Sequence, residues 1–232
     1  MNFGELKSLA RAYVPQSKAN AISVATMGQI INAGVADVAL RGKCIRTYED
    51  FDSLSGVSKY NLSANLTRFM ALDEGGVWFD DGDGFKDLDP FTVSKMKNDF
   101  PNFQTDEDSA PLRYYVLGDD LYLHPGVETG ASDKIRVHFI QRPMPMTDDA
   151  QYPFHAEGSQ TTEVERLEIL SESVLLYVES RFLKILNEKQ ESILKNQEYL
   201  ADVAAKIQMI NGRPDVAADK KSKFQGPRIP RC

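Results

Sequence analysis

Cysteine is nearly absent from this 232-residue chain: Cys44 and Cys232 are the whole complement. Two cysteines without a CxxC spacing build neither a disulfide framework nor a zinc site, and the expected place of synthesis is reducing and intracellular. Histidine is almost as scarce. His124, His138 and His155 stand in no metal-ligand spacing, and HExxH, GxSxG and GxxxxGK[ST] are all missing. No catalytic residue, cofactor or metal is expected, since lone histidines in strands more often pack or face solvent. No apolar run reaches membrane-spanning length. The first residues, Met1 to Tyr13, set Glu5, Lys7 and Arg11 among apolar ones, which reads as an amphipathic helix and not as a signal peptide. Finally, the 49 residues from Glu163 to Asn211 contain neither glycine nor proline.

That last absence is the strongest local signal. The run is rich in helix formers, and as one straight helix it would reach roughly 73 Å at 1.5 Å per residue. Charge is unevenly spread as well. The net charge is -7. The stretch 212–232 holds Arg213, Lys220, Lys221, Lys223, Arg228 and Arg231 against Asp215 and Asp219, a net of +4, which leaves -11 on the rest. Such asymmetry reads either as a solvated tail or as an arm that docks on an acidic surface, which an acidic protein, nucleic acid or another copy of the chain can supply.

Along the chain, Asn2 to Tyr13 reads as a helix with Asn2 as N-cap and Phe3, Leu6, Leu9, Ala10 and Tyr13 on one face. A second helix is expected from about Ala21 to Leu40, capped by Ser17 or Asn20 and ended at Gly42. From Lys43 to about Pro153 the helical period is lost and turn residues recur about every ten positions, which predicts short antiparallel strands. The candidates are 45–51, 57–62, 66–72, 77–80, 114–117, 121–124 and 135–140, with hairpin turns at Gly82–Gly84 and Gly118–Asp120 and a short helix over 92–100. After Gly158, Thr161 or Thr162 caps the long run, with Glu163 and Glu165 in its first turn. Leu167, Leu170, Val174, Val178, Phe182 and Ile185 predict its inward face. Ile193, Leu200 and Ile207, with Val203 and Ile210, resume at seven-residue steps beyond the polar window Asn187–Ser192. With no glycine or proline in that window, one continuous helix or a modest break is preferred to a sharp turn.

The expected class is α+β. A helical bundle of the two N-terminal helices plus a long C-terminal helix or helix pair (1–42 and 160–211) surrounds a β-rich antiparallel insertion (43–159), and an extended basic C-terminal arm follows (212–232).

Other chemistry-bearing patterns have plainer readings. Asp80-Asp81-Gly82-Asp83-Gly84 fails the calcium-loop pattern, because an EF-hand loop in that register would need a ligand at Phe79 and Glu at Pro90. It reads as a hairpin turn. The pairs Asp119-Asp120 and Asp148-Asp149 and the triplet Asp106-Glu107-Asp108 fall in predicted loops. Trp78, Phe79, Phe85, Phe91, Tyr114, Tyr115, Tyr122 and Phe139 cluster in the β region, which is acidic, so a β-domain core fits them better than base stacking.

In order, the pieces YVPQSKANAISVATMGQIINAGVADVALRGKCI, GVWFDDGDGFKDL, RYYVLGDDLYLHPG and IRVHFIQRPMPMTDDAQYPF, followed by a long helical run, resemble the head-to-tail adaptor (connector, or neck) proteins of tailed bacteriophages. The resemblance covers roughly residues 10–190, and the order of its pieces is more specific than any one of them. It implies a non-enzymatic structural virion protein, made in the host cytoplasm and placed in the neck between portal and tail. Such proteins form a ring, usually of twelve copies, that joins the portal protein to tail or neck proteins and leaves a channel for genomic DNA without reading its sequence. It implies no cofactor and no membrane. The C-terminal arm would dock on the portal or a neighbouring copy through Lys220, Lys221, Lys223, Phe224, Arg228, Ile229 and Arg231. A tail-tube or tail-terminator component and a virion-associated hydrolase are the competing expectations.

Overall fold

A computed structural model describes residues 1–14, 21–101, 106–108, 110–156 and 164–211. The chain divides into two compact units, Met1–Gly42 with Pro143–Cys232, and Lys43–Arg142. The fold is α+β, with helices at both ends of the chain and two largely antiparallel sheets in the middle.

In the first unit, α1 (Phe3–Ala12) opens on a capping box. Asn2 Oδ1 accepts from Glu5 N at 2.9 Å, and Glu5 Oε2 accepts from Asn2 N at 2.8 Å, so two of the donors a helix start leaves open are satisfied. The expected face holds in part. Phe3, Leu6 and Ala10 are buried, whereas Leu9 and Tyr13 are exposed.

The second helix, α2 (Val24–Gly42), starts three residues later than the spacing predicts. Ser23 caps it, its Oγ accepting from Thr26 N at 3.1 Å; the expected caps Ser17 and Asn20 lie outside the described residues. Gly34 on α2 lets the helix axes close up, because a Cβ there would stand 2.9 Å from Cδ1 of Tyr177.

The long glycine-free run is not one helix. After a 3-10 turn at Glu165–Leu167 come α5 (Leu170–Ile185) and α6 (Lys189–Asn211). Thr161, Thr162 and Glu163 fall outside the described residues. The two helices fold back on each other: Lys195 of α6 pairs with Glu179 of α5, and Lys206 with Glu172. Of the expected helix or helix pair the chain forms the pair, with a sharper turn than the modest break preferred, and the turn needs no glycine. Asn187 takes φ 65°, Asn187 N donates to Lys184 O at 3.2 Å, and Glu188 N donates to Leu183 O at 2.9 Å. That is a Schellman closure with asparagine in the left-handed position, a role asparagine fills next best after glycine.

The inward faces differ from expectation too. Leu167, Leu170, Val174, Val178 and Phe182 are buried as the spacing predicts, but Ile185, at the helix end, is 45% exposed. On α6 the buried residues are Tyr199, Val203 and Lys206, while Ile193 and Leu200 point outward. A seven-residue step marks one face of a helix without saying whether that face meets the core. Residues 143–156 belong to this same unit. Met146 N and O bond the Asn32 amide at 2.9 and 3.0 Å, and Phe3 N and Gly4 N bond Gln151 O and Asp149 O at 2.7 and 3.0 Å.

In the second unit the strands are β1 (Arg46–Ser53), β2 (Val57–Asn61), β3 (Phe69–Asp80), β4 (Phe85–Asp87), β5 (Asp89–Pro90), β6 (Glu107–Asp108), β7 (Arg113–Leu117), β8 (Asp120–Val127) and β9 (Ala131–Gln141). One sheet runs β1-β9-β3-β4, all antiparallel. The other runs β2-β8-β7-β5, and β5 and β6 add short parallel pairs to β7 and β8. Alternate residues of both sheets make one core, with Val77, Phe79, Ile135, Val137 and Phe139 from the first and Tyr60, Leu121, Leu123 and Val127 from the second.

Two predicted strands, 66–72 and 77–80, are a single β3 whose register shifts between Leu72 and Val77. Gly75 and Gly76 make the irregularity: a Cβ at Gly75 would sit 2.7 Å from Cβ of His138, and Gly76 has φ 67°. The predicted strand 57–62 stops at Asn61, which caps a helical turn, α3 (Leu62–Asn65), by accepting from Ala64 N at 2.8 Å. Both expected hairpins form, with Asp80 opposite Phe85 and Leu117 opposite Asp120. The short helix α4 (Val93–Asp99) is capped by Thr92.

Candidate functional site

The residues that carry chemistry in the sequence are spent on structure. Asp80 Oδ1 accepts from Gly82 N at 2.9 Å and Gly84 N at 3.1 Å, and its other oxygen meets Lys134 Nζ at 3.0 Å. Those backbone amides, Gly82 first, hold its carboxyl below the usual carboxylate value. Asp81 is lowered in the same way, first by its hydrogen bond from Lys86. The turn therefore uses its own carboxylates. Asp119 accepts from Ser63, Asp120 pairs with Lys59, and Asp149 pairs with Lys7. Among the described residues no group of His, Cys, Asp and Glu is arranged to hold a metal ion.

The histidines do not converge. His124 on β8 is buried with its ring 4.8 Å from Phe100, and His138 on β9 lies between Trp78 and Tyr48 at 5.1 and 5.6 Å. His155 is in the helical unit, where its carbonyl accepts from Met144 N. The aromatics divide by sheet face. Phe79, Tyr114 and Phe139 join the core, and Phe91, Tyr115, Tyr122 and Phe100 gather around Met96 of α4. Trp78 and Phe85 lie on the other face of the first sheet. There Arg136 stacks on Tyr48 and Phe85 at 4.3 and 3.9 Å and is held bidentately by Asp50 at 2.7 Å.

The best-organised polar cluster joins the three large helices. Asp37 of α2 accepts from Arg41 Nε at 2.7 Å and from the Tyr199 hydroxyl of α6. Burial, and then the Asp37 carboxylate, push the Tyr199 hydroxyl well above the ordinary tyrosine value. Along the α5–α6 seam, Ser173 Oγ donates to Asp202 at 2.6 Å, and Lys206 Nζ reaches Glu172 and Asp202 at 2.9 and 3.0 Å. Lys206 is 8% exposed, a position a lysine holds only when paired. Sequence reading missed this cluster. Its traces were two i,i+4 pairs, Asp37/Arg41 and Asp202/Lys206, and a lone tyrosine on a helix otherwise rich in alanine and polar residues. The cluster activates no nucleophile. It sets the direction of α6 and so the point, Asn211, from which the chain runs on. The expected docking residues Lys220, Lys221, Lys223, Phe224, Arg228, Ile229 and Arg231 lie outside the described residues.

The carboxylates of the predicted turns are taken up by pairs and backbone amides, and the helical hairpin precedes a basic stretch of sequence. The chain matches the family model of the SU10 adaptor protein over residues 1–222, and it belongs to that family. It is thus a phage adaptor, a structural component of the virion, and the resemblance seen in the order of its motifs is family membership. No curated protein matches it. Among the described residues, no helix is long and apolar enough to cross a membrane.

Proposed function

We propose that this chain is a head-to-tail adaptor that forms a ring in the neck, joins the portal to the tail and leaves a channel for DNA. The observation that carries this reading is the family match over 1–222, nearly the whole chain. The fold suits the role. The helical hairpin is followed in the sequence by a basic segment, and such a segment adds affinity by wrapping a partner without a core of its own. Lys220, Lys221, Lys223, Phe224, Arg228, Ile229 and Arg231 are the proposed contacts with the portal or a neighbouring copy. The acidic remainder, where it lines the channel, keeps DNA from binding to the wall.

The test is mass measurement of the purified protein, alone and mixed with the cognate portal. A complex with a ring of about twelve copies supports the adaptor reading; a ring of six points to a tail-tube or terminator component. Removing 212–232 should impair attachment to the portal while far-UV circular dichroism stays that of the folded body. Unchanged attachment would show that the arm assignment is wrong.

A further inference from the structure

The longest edge strand of the β unit is open along one side. β1 (Arg46–Ser53) ends the first sheet and pairs with β9 alone. The other edge strands are short or broken: β4 has 3 residues, β5 has 2, and β2 shifts register between Val57 and Lys59. β1 keeps its register from Arg46 to Phe51, and neither proline, lysine nor a bulge blunts it over that stretch.

Its free backbone groups follow from the pairing. Gln141 N donates to Ile45 O at 2.9 Å, and the register sets Arg46 opposite Ile140. Bonded positions alternate in an antiparallel pair, so residues 45, 47, 49 and 51 bond to β9, and the amides and carbonyls of Arg46, Tyr48 and Asp50 face away from it. Among the described residues no hydrogen bond reaches those groups. The edge is held in place from behind. Arg136 of β9 grips both carboxylate oxygens of Asp50 at 2.7 Å and stacks on Tyr48, whose side is 52% exposed.

We propose that the edge from Arg46 to Asp50 is a strand-addition site, and that its occupant is an extended, basic segment of another protein. The outward amides and carbonyls supply the ladder, and side chains supply the selection. β1 carries Arg46 against Glu49, Asp50 and Asp52. Among the described residues neither Glu49 nor Asp52 is in an ion pair; each accepts only from a backbone amide, that of Thr67 and that of Asp133. Lysine or arginine in the added strand pairs with these carboxylates, and a β-branched or aromatic residue packs beside Tyr48. Two other occupants fit less well. The chain's own basic stretch carries Pro214, Pro227 and Pro230, each without a ladder donor. A second copy would bring the same acidic strand to the edge. The inference rests on the β unit alone and not on the ring or portal reading.

In the test, full-length protein is titrated into a fluorescein-labelled peptide of alternating lysine and valine, about nine residues long, and into a twin N-methylated at every residue. Anisotropy is followed up to about 1 mM protein. The twin keeps the charge and lacks every ladder donor, so it should bind about tenfold more weakly or worse. Two variants probe the protein's side. Tyr48→Pro removes the outward amide and keeps the bonds to β9, a change an edge strand tolerates, whereas Tyr48→Ala removes the ring alone. Tyr48→Pro should bind the first peptide about tenfold more weakly than Tyr48→Ala does, with circular dichroism confirming that both are folded. Should Tyr48→Pro not fold, the two peptides on the wild-type protein decide. Equal binding of the two peptides would show attraction by charge alone and overturn the proposal. So would no binding of the first peptide, or equal affinities in the two variants. A wild-type chain that dimerises in sedimentation where Tyr48→Pro stays monomeric would give the edge to a second copy, and would overturn it as well.

Discussion

Replacing Tyr199 separates what packing contributes to the helical unit from what the Asp37 hydrogen bond contributes. Tyr199 is 1% exposed, meets Tyr177 edge-on at 5.4 Å, and donates to a carboxylate that also holds Arg41. Tyr199→Phe keeps the ring and removes the hydroxyl. A hydrogen bond to a charged group is worth about 1.5–3 kcal/mol, and Asp37 keeps Arg41, so a loss near the lower bound, about 1.5 kcal/mol, is expected. Tyr199→Ala also removes the ring and leaves a cavity, which costs about 3–5 kcal/mol. With a urea slope of about 2 kcal/mol/M, the midpoints should fall by roughly 0.8 M and 2 M.

The two units supply their own probes. Trp78, the single tryptophan, is in the β unit, and most of the helix is in the other. Helical circular dichroism should show the shifts, and tryptophan fluorescence should move much less. The pH dependence has a definite sign. The folded hydroxyl titrates above the ordinary value of 10, so its contribution is complete below pH 10 and is lost as the unfolded tyrosine ionises above it. Tyr199→Phe should reduce the alkaline loss by the Tyr199 share, leaving that of the other raised groups such as Tyr13. Equal costs for Phe and Ala, or an alkaline loss undiminished in Tyr199→Phe, would refute the assignment of the hydroxyl to Asp37.

The remaining predictions concern turns. Asn187→Gly should leave helical stability unchanged or slightly raised, whereas Asn187→Val, forced to φ 65°, should cost about 1–2 kcal/mol in thermal unfolding followed by circular dichroism. At the β3–β4 hairpin, Asp80 and Asp81 titrate below their ordinary value of 3.8, so their contribution is present above that pH and fades as pH falls below it. Amide exchange of Gly82, Asp83 and Gly84 should therefore be protected near neutrality, relative to the Asp80→Asn, Asp81→Asn double variant, and should lose that protection in acid.

How much was legible in the sequence depended on how local its cause is. The Asn2 N-cap, the Gly118 hairpin, the short helix after Thr92 and the period of α5 were readable, because each is set by residues a few positions apart. Gly75 and Gly76 were visible as residues, but not as a register shift inside one strand. The reason for Gly75 is the His138 side chain on β9, some sixty positions away. The polar window at Asn187 was singled out with a helix pair left open, but the sharpness of its turn was not legible, because it is closed by backbone bonds that asparagine permits and no glycine announces.

The sequence by itself determined that the chain is α+β, with helical ends around a β-rich middle and a basic segment at its end. Hydrophobic period and turn chemistry are written residue by residue, and the order of motifs already resembles the family to which the chain belongs. Only the tertiary structure decided that the long run doubles back into a hairpin. It also decided that Tyr199, Val203 and Lys206 face the core while Ile193 and Leu200 face outward. Periodicity defines a helix face but not its orientation. That depends on which neighbour offers a partner, and here Asp37, the fourteenth residue of α2 and 162 positions from Tyr199, supplies it.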